Sequence, residues 1–149
     1  MSAHSEKAKN LFIGGYNCAQ AVFCAFCDVT HMDREQALHL SSSFGGGMGR
    51  LREVCGAFSA MLMVQGMVRG GDMMDIEQKA AQYTAVQTLA DCFIAANGAL
   101  TCRDLLSLPA GRSCPVPEKR SPDYYLKRPC AGYIERAAEI LDLWLEEGQ

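Results

Sequence analysis

The sequence predicts an all-α fold, a single-domain bundle of about six to seven helices. Ala, Leu, Met, Gln and Glu recur at three- and four-residue spacing, and no run alternates long enough to read as a half-buried strand. A chain of 149 residues, 49% of them hydrophobic, closes one apolar core and is too short to make a second domain expected.

The helices follow in order. A first helix is expected from about Ser5, which can cap, to Ile13, ended by Gly14-Gly15. Asn17 caps a second, Cys18 to about Val29. Asp33 caps a third, which carries Ala37, Leu38 and Leu40 and stops at the loop Phe44-Gly45-Gly46-Gly47-Met48-Gly49-Arg50. A fourth is expected from about Leu51 to Val68, with Gly70-Gly71 breaking the chain after it. The long fifth, about Met74 to Ala96, places Ala80, Tyr83, Val86, Gln87, Leu89, Ala90, Phe93 and Ile94 largely on one face, and Asn97-Gly98 closes it.

Thr101 with Asp104 three residues on resembles a capping box and predicts a short helix from Cys102 to about Leu108, ended by Pro109. From Ala110 to Arg128 the chain holds Pro115, Pro117 and Pro122 among charged residues and reads as an irregular surface segment. Pro129 suits the first position of a last helix whose stripe Ile134, Ala137, Leu141, Trp144 and Leu145 should dock on the core.

Composition narrows the function classes. The net charge is -3 with no basic stripe, so nucleic acid is not an expected partner. Met1 to Asn10 are polar and charged, and Leu11-Phe12-Ile13 is too short for the apolar region of an export signal. The longest apolar stretch, Ala57 to Val68, is broken by Ser59, Gln65 and Gly66 and falls short of the roughly 18 consecutive residues of a membrane span. A cytoplasmic protein is expected. In a reducing compartment the eight cysteines point to metal ligation, redox cycling or plain burial rather than a disulfide scaffold.

Four of them fall in or near the first turn of an expected helix: Cys18 after Asn17, Cys55 after the glycine loop, Cys102 after Thr101 and Cys130 after Pro129. Unpaired N–H groups and a partial positive charge at a helix start stabilise a thiolate, lowering the pKa from its usual ~8.5. Thiolates are what nucleophiles and metal ligands must be. Arg50 and Arg52 near Cys55, Arg103 beside Cys102, and Lys127 with Arg128 before Cys130 would act in the same direction. The bland reading is that cysteine is a small apolar filler near helix ends.

The segment Asn17-Cys18-Ala19-Gln20-Ala21, the loop Phe44-Gly45-Gly46-Gly47-Met48-Gly49 and the triplet Cys55-Gly56-Ala57, followed by Cys102 and Cys130, resemble the redox-active proteins of the C_GCAxxG_C_C family. The likeness runs from about Asn17 to Glu139. Its first half is specific, the last two cysteines rest on position, and Ser59 departs from the glycine often found before the alanine there. The resemblance implies a helical protein whose Cys18, Cys55, Cys102 and Cys130 act in electron or thiol chemistry. Similar segments accompany iron–sulfur and haem chemistry in split-Soret cytochromes, which brings in a cluster or a zinc site held by the same four cysteines.

Other features are weaker. Cys24-Ala25-Phe26-Cys27 is a C-x-x-C in mid-helix, where Cβ atoms three apart lie about 5–6 Å apart. Asp28 rather than His follows it, against haem attachment. At roughly 100° per residue Cys24 is turned about 120° and Cys27 about 180° from Cys18, so both read as core fillers. Cys92 is expected buried and Cys114 on the loop. Gly45, Gly46, Gly47 and Gly49 could aim N–H groups at a bound anion, or simply let two helices approach closely; the loop lacks the Lys-Ser/Thr of a phosphate loop and the strand of a dinucleotide fold.

The methionines, Met61, Met63, Met67, Met73 and Met74 among them, read as core packing rather than a soft-metal site. His39 would join a cysteine site only through folding. Glu53 is a proton acceptor or a first-turn helix stabiliser. The leading reading is a thiol-based redox protein exchanging electrons with a small molecule or a redox partner; a metal-binding protein and a non-catalytic interaction module are the alternatives, and a homodimer is plausible.

Overall fold

The structure, a computed structural model, describes residues 1–147. It is all-α: among the described residues there is no strand, only an isolated bridge between Val54 and Thr101. Helix α1 spans Ala3–Ile13, α2 Cys18–Ala25, α3 Cys27–Thr30, α4 Arg34–Ser41, α5 Gly56–Arg69, α6 Ile76–Asn97, α7 Cys102–Leu105, α8 Pro122–Lys127 and α9 Cys130–Glu147. The hairpin of α1 and α2 packs on α9, and α2 lies along α5. Between them sits the core of Phe12, Phe23, Phe26, Phe58, Met61, Phe93, Ile134 and Leu141. Burying such a side chain stabilises the fold by roughly 1.5–3 kcal/mol relative to exposure.

Several boundaries differ from expectation, each for a local reason. Ser2, not Ser5, caps α1; Ser5 is the third residue of a reciprocal capping box and its hydroxyl receives the Ser2 N–H. The expected helix to Val29 breaks at Phe26, whose φ of -105° and ψ of 19° leave the helical region. The break buries Phe26 beneath the His4 ring at 4.1 Å, and His4 is held between Asp142 at 2.7 Å and Asp28 at 3.0 Å. Helix α5 begins at Gly56 rather than Leu51, because Arg50 and Arg52 take left-handed φ values of 67° and 65°. The short helix ends at Leu105, three residues early, and Ser107 follows with φ 54°.

The segment expected to be irregular from Ala110 to Arg128 contains α8, whose cap is Ser121 with Pro122 in its first turn. That Ser-Pro pair is itself a helix-start signal. On α6 the expected face is only partly used: Leu89 and Phe93 are buried, whereas Ala80, Tyr83, Gln87 and Ile94 are exposed. The buried positions lie in the C-terminal half, and the more exposed first half is held to α5 through Gln82 and the buried Gln65. Cys92, expected buried, is exposed on this helix, and Cys114 is exposed on its loop.

Ile134, Ala137 and Leu141 of α9 are buried as the stripe requires, with Trp144 and Leu145 partly so. Arg69, at the end of α5, lies over the Trp144 ring at 4.2 Å and donates to the Trp144 and Leu145 carbonyls. A cation there offsets the negative end of α9. Among the described residues no helix is long and apolar enough to cross a membrane.

Candidate functional site

The start of α2 is fixed from both sides. Asn17 Oδ1 accepts from the Gln20 N–H at 2.9 Å and Gln20 Oε1 from the Asn17 N–H at 3.2 Å, a reciprocal cap. The remaining amide N–H groups reach α4 and the turn after it, Asn17 to Ser42 O at 3.0 Å and Gln20 to Leu38 O at 3.0 Å. Cys18 is thereby held in the first turn, facing the glycine loop.

That loop is threaded against the next segment. Arg52 and Glu53 donate their N–H groups to Gly46 O and Gly47 O at 3.2 and 2.9 Å, and Cys102 donates to Glu53 O at 2.6 Å. Cys55 donates to Leu100 O at 2.9 Å, which fixes it as the cap residue of α5. Two glycines make this possible. At Gly47, φ is 67° and a Cβ would stand 2.7 Å from Cys102 Cβ; at Gly56, a Cβ would stand 2.6 Å from Cys18 Sγ.

These elements enclose a cavity of about 280 Å³, near the lower end of small-molecule pockets. Cys18, Cys55, Cys102 and Cys130 all line it, as do Gly45, Gly46 and Gly49, while Gly47 is packed behind Cys102. The four sulfurs surround common space without closing into one cluster. Cys18 and Cys55 are neighbours in it, and the backbone that follows Cys55 lies against the Cys18 sulfur at Gly56. Cys102 is instead engaged by Arg52, whose Nη1 lies 3.3 Å from its sulfur. All eight cysteines are free thiols.

The electrostatics separate the four. Cys18 is lowered to about 6, chiefly by the hydrogen bond from Cys55 and then by the N–H groups of Gly46, Ala19 and Gly56, which together outweigh burial. Two helix starts and the glycine loop thus point donors at a single sulfur. Cys55 goes the other way, well above 9.0, because its proton is held in the bond to Cys18 and burial beside that charge disfavours a second one. Cys102 is raised by burial against the pull of Arg52, and Cys130 is pushed up to about 12 by burial and by the charges of Cys18 and Cys102. The expectation that all four helix-start cysteines become acidic is therefore corrected. Desolvation wins where too few donors reach the sulfur, and only Cys18 has enough of them.

The cations also act differently from expectation. Arg52, expected to serve the neighbouring Cys55, turns to Cys102; it is 4% exposed and its Nε donates to Ser113 Oγ at 2.8 Å. Arg103 pairs with Glu53 at 3.2 Å on the surface, and Glu53 does not line the cavity. His39 is exposed and does not line the cavity. Arg120 and Tyr124 were not singled out by the sequence. Arg120 donates to Phe12 O at 2.9 Å and Tyr16 O at 3.1 Å and lies over the Phe12 and Tyr124 rings at 4.4 and 4.9 Å, so its role depends on partners some hundred residues away.

A single zinc held by all four cysteines requires sulfurs about 3.8 Å apart around a tetrahedral centre with ~2.3 Å bonds. Among the described residues no group of three or more Cys, His, Asp or Glu side chains is placed to hold a metal ion. The residues as arranged do not fit a single-zinc centre.

Comparison with known proteins returns one family. The family model described as "Putative redox-active protein (C_GCAxxG_C_C)" matches residues 16–143, most of the chain. No curated protein and no solved structure matches it. The chain belongs to the C_GCAxxG_C_C family.

Proposed function

We propose that this member of a redox-active family is a dithiol–disulfide exchange protein in which Cys18 attacks and Cys55 resolves. The observation that carries the reading is that Cys18 and Cys55 line one cavity side by side, Gly56 after Cys55 lying against the Cys18 sulfur, with Cys55 the leading cause that lowers Cys18. With Cys18 lowered to about 6, roughly nine-tenths of it is thiolate at neutral pH, and the thiolate is the attacking species.

The exchange balances with a disulfide R–S–S–R′ as oxidant. The Cys18 thiolate attacks one sulfur, the S–S bond breaks, a Cys18–S–S–R bond forms and R′S⁻ leaves, taking a proton from solvent. Forming that bond removes the charge on Cys18, and with it the leading cause that holds the Cys55 proton. Cys55 then passes its proton to the departing RS⁻ and attacks the Cys18 sulfur. Cys18 and Cys55 end as a disulfide and the substrate as two thiols. Thiols in hydrogen-bond contact need only a small closing movement to reach the ~2.05 Å of that bond. Cys102 and Cys130, held protonated by burial, line the space in which the exchange occurs.

The test is a stoichiometric oxidation of the fully reduced protein by one equivalent of a small disulfide, followed by peptide mapping. The expected product is a Cys18–Cys55 disulfide with two thiols lost per chain. Cys55→Ser is expected to stop at a mixed disulfide on Cys18, and Cys18→Ser to lose the fast phase. A disulfide between other cysteines, or an unchanged fast phase in Cys18→Ser, would overturn the assignment.

A further inference from the structure

Around the thiols the cavity carries more positive charge than the protein itself neutralises. Arg50, Arg52, Arg120 and Arg128 line it, with Glu118 as the lining carboxylate. Glu118 is half-exposed and divides itself between Arg128 at 2.7 Å and Arg50 at 3.5 Å. Among the described residues Arg52 and Arg120 have no carboxylate partner: their N–H groups go to the Ser113 hydroxyl, the Cys102 sulfur, the Tyr125 hydroxyl and the carbonyls of Phe12 and Tyr16. A guanidinium 4% exposed and without an anion is costly unless a counter-charge arrives.

The Cys18 thiolate offsets part of that cost, but four guanidinium groups still face one carboxylate and one thiolate. The positive charge therefore remains for something that enters. The cavity of about 280 Å³ has the volume of some nine waters, taken at roughly 30 Å³ each, which suits a molecule of about a dozen heavy atoms. Phe12, Leu105 and Ile134 give one side of it an apolar wall.

We infer that the cavity takes a small disulfide bearing carboxylate groups, its negative ends held by Arg52, Arg120 and Arg128 while one sulfur meets Cys18. The inference rests on the dithiol reading above and adds the charge of the substrate to it. Fixing the carboxylates orients the S–S bond and raises its local concentration at the attacking sulfur. In the balanced exchange above, both products leave as anionic thiols.

The experiment compares dithiodipropionate (anionic), bis(hydroxyethyl) disulfide (neutral) and cystamine (cationic) as oxidants of the reduced protein at low ionic strength. Each rate is divided by that of the same disulfide with free mercaptoethanol, which removes differences in leaving-group reactivity. The expected order is anionic over neutral over cationic, about tenfold across the series and shrinking as salt screens the cavity. Arg120→Gln and Arg128→Gln are each expected to slow the anionic oxidant several-fold more than the neutral one, with circular dichroism and a thermal melt as the check on folding.

Equal normalised rates for all three, with Cys18–Cys55 forming normally, would overturn the anionic assignment and leave the dithiol reading standing. Failure of all three to oxidise that pair would overturn both. Parallel slowing of the neutral and anionic oxidants in the arginine variants would reduce those residues to a structural role and likewise count against the inference.

Discussion

Cys18 neighbours Cys55 and Cys24 neighbours Cys27, yet only the first pair yields an acidic sulfur, with Cys18 lowered and Cys55, Cys24 and Cys27 all raised. Cys24 is raised to about 11, by burial first and by Cys27 second, and Cys27 is raised by burial as well. Both pairs are desolvated, so burial does not distinguish them. What differs is the backbone. Cys18 stands in the first turn of α2, opposite the first turn of α5 and Gly46, where N–H groups are unspent; Cys24 lies seven-eighths of the way along the same helix, where N–H groups are committed to the helix ladder. A C-x-x-C spacing is thus less informative than the position of each sulfur relative to a helix start.

The largest consequence is in reactivity. At pH 7 a group half-ionised near 6 carries about ten thousand times the thiolate fraction of one near 11, and the lower nucleophilicity of the more acidic sulfur returns about two powers of ten. Cys18 should alkylate about a hundredfold faster than Cys24 in the native protein, read peptide by peptide by mass spectrometry. Comparable rates would erase the contrast between the pairs.

Next in size is removal of the Cys55 donor. A hydrogen bond to a charged group contributes about 1.5–3 kcal/mol, so Cys55→Ala should move the half-ionisation of Cys18 up by about 1–2 pH units, whereas Cys55→Ser, which keeps an O–H donor, should move it far less. Gly56→Ala presses a methyl against Cys18 Sγ and the Phe44 carbonyl, and should both raise Cys18 and destabilise the fold by about 1–3 kcal/mol. A pH–rate profile and a urea titration separate the two effects.

The same shifts set the dependence of stability on pH for the reduced protein. Because Cys18 is lowered to about 6 from 9.0, its contribution is present above 9 and is lost as pH falls through 6; between those values the unfolded chain holds the proton that the native state has released. Cys55, Cys102 and Cys130 are raised, so their contribution is present below 9 and is lost as pH rises above it. Cys18→Ser should flatten the rising limb between 6 and 9 and also weaken the falling limb above 9, because Cys18 is a cause of the rise of Cys55, Cys102 and Cys130. The smallest effect belongs to the cap: Asn17→Ala should lower stability by about 1 kcal/mol, or roughly 3 °C in Tm.

The sequence made visible what is local. Asn17, Asp33 and Thr101 cap the helices expected of them, and the starts of α2, α7 and α9 carry the cysteines that line the cavity. What it hid is tertiary. The left-handed φ values of Arg50 and Arg52 arise from threading past the glycine loop, and they turn Arg52 from its neighbour Cys55 to Cys102. Arg120 reaches Phe12 and Tyr16 at the other end of the chain, a pairing that no spacing rule encodes. The exposure of the first half of α6 escaped because periodicity marks an apolar face without saying how much of it a neighbour covers.

The most direct measurement follows alkylation of Cys18 in the reduced native protein from about pH 4 to about pH 10, with each cysteine resolved by its own peptide. Convergent N–H donors predict half-maximal reaction near pH 6, with Cys24 unreacted until the solution is strongly alkaline. Half-maximal reaction of Cys18 at or above pH 9, alongside the other thiols, would contradict the account at its centre.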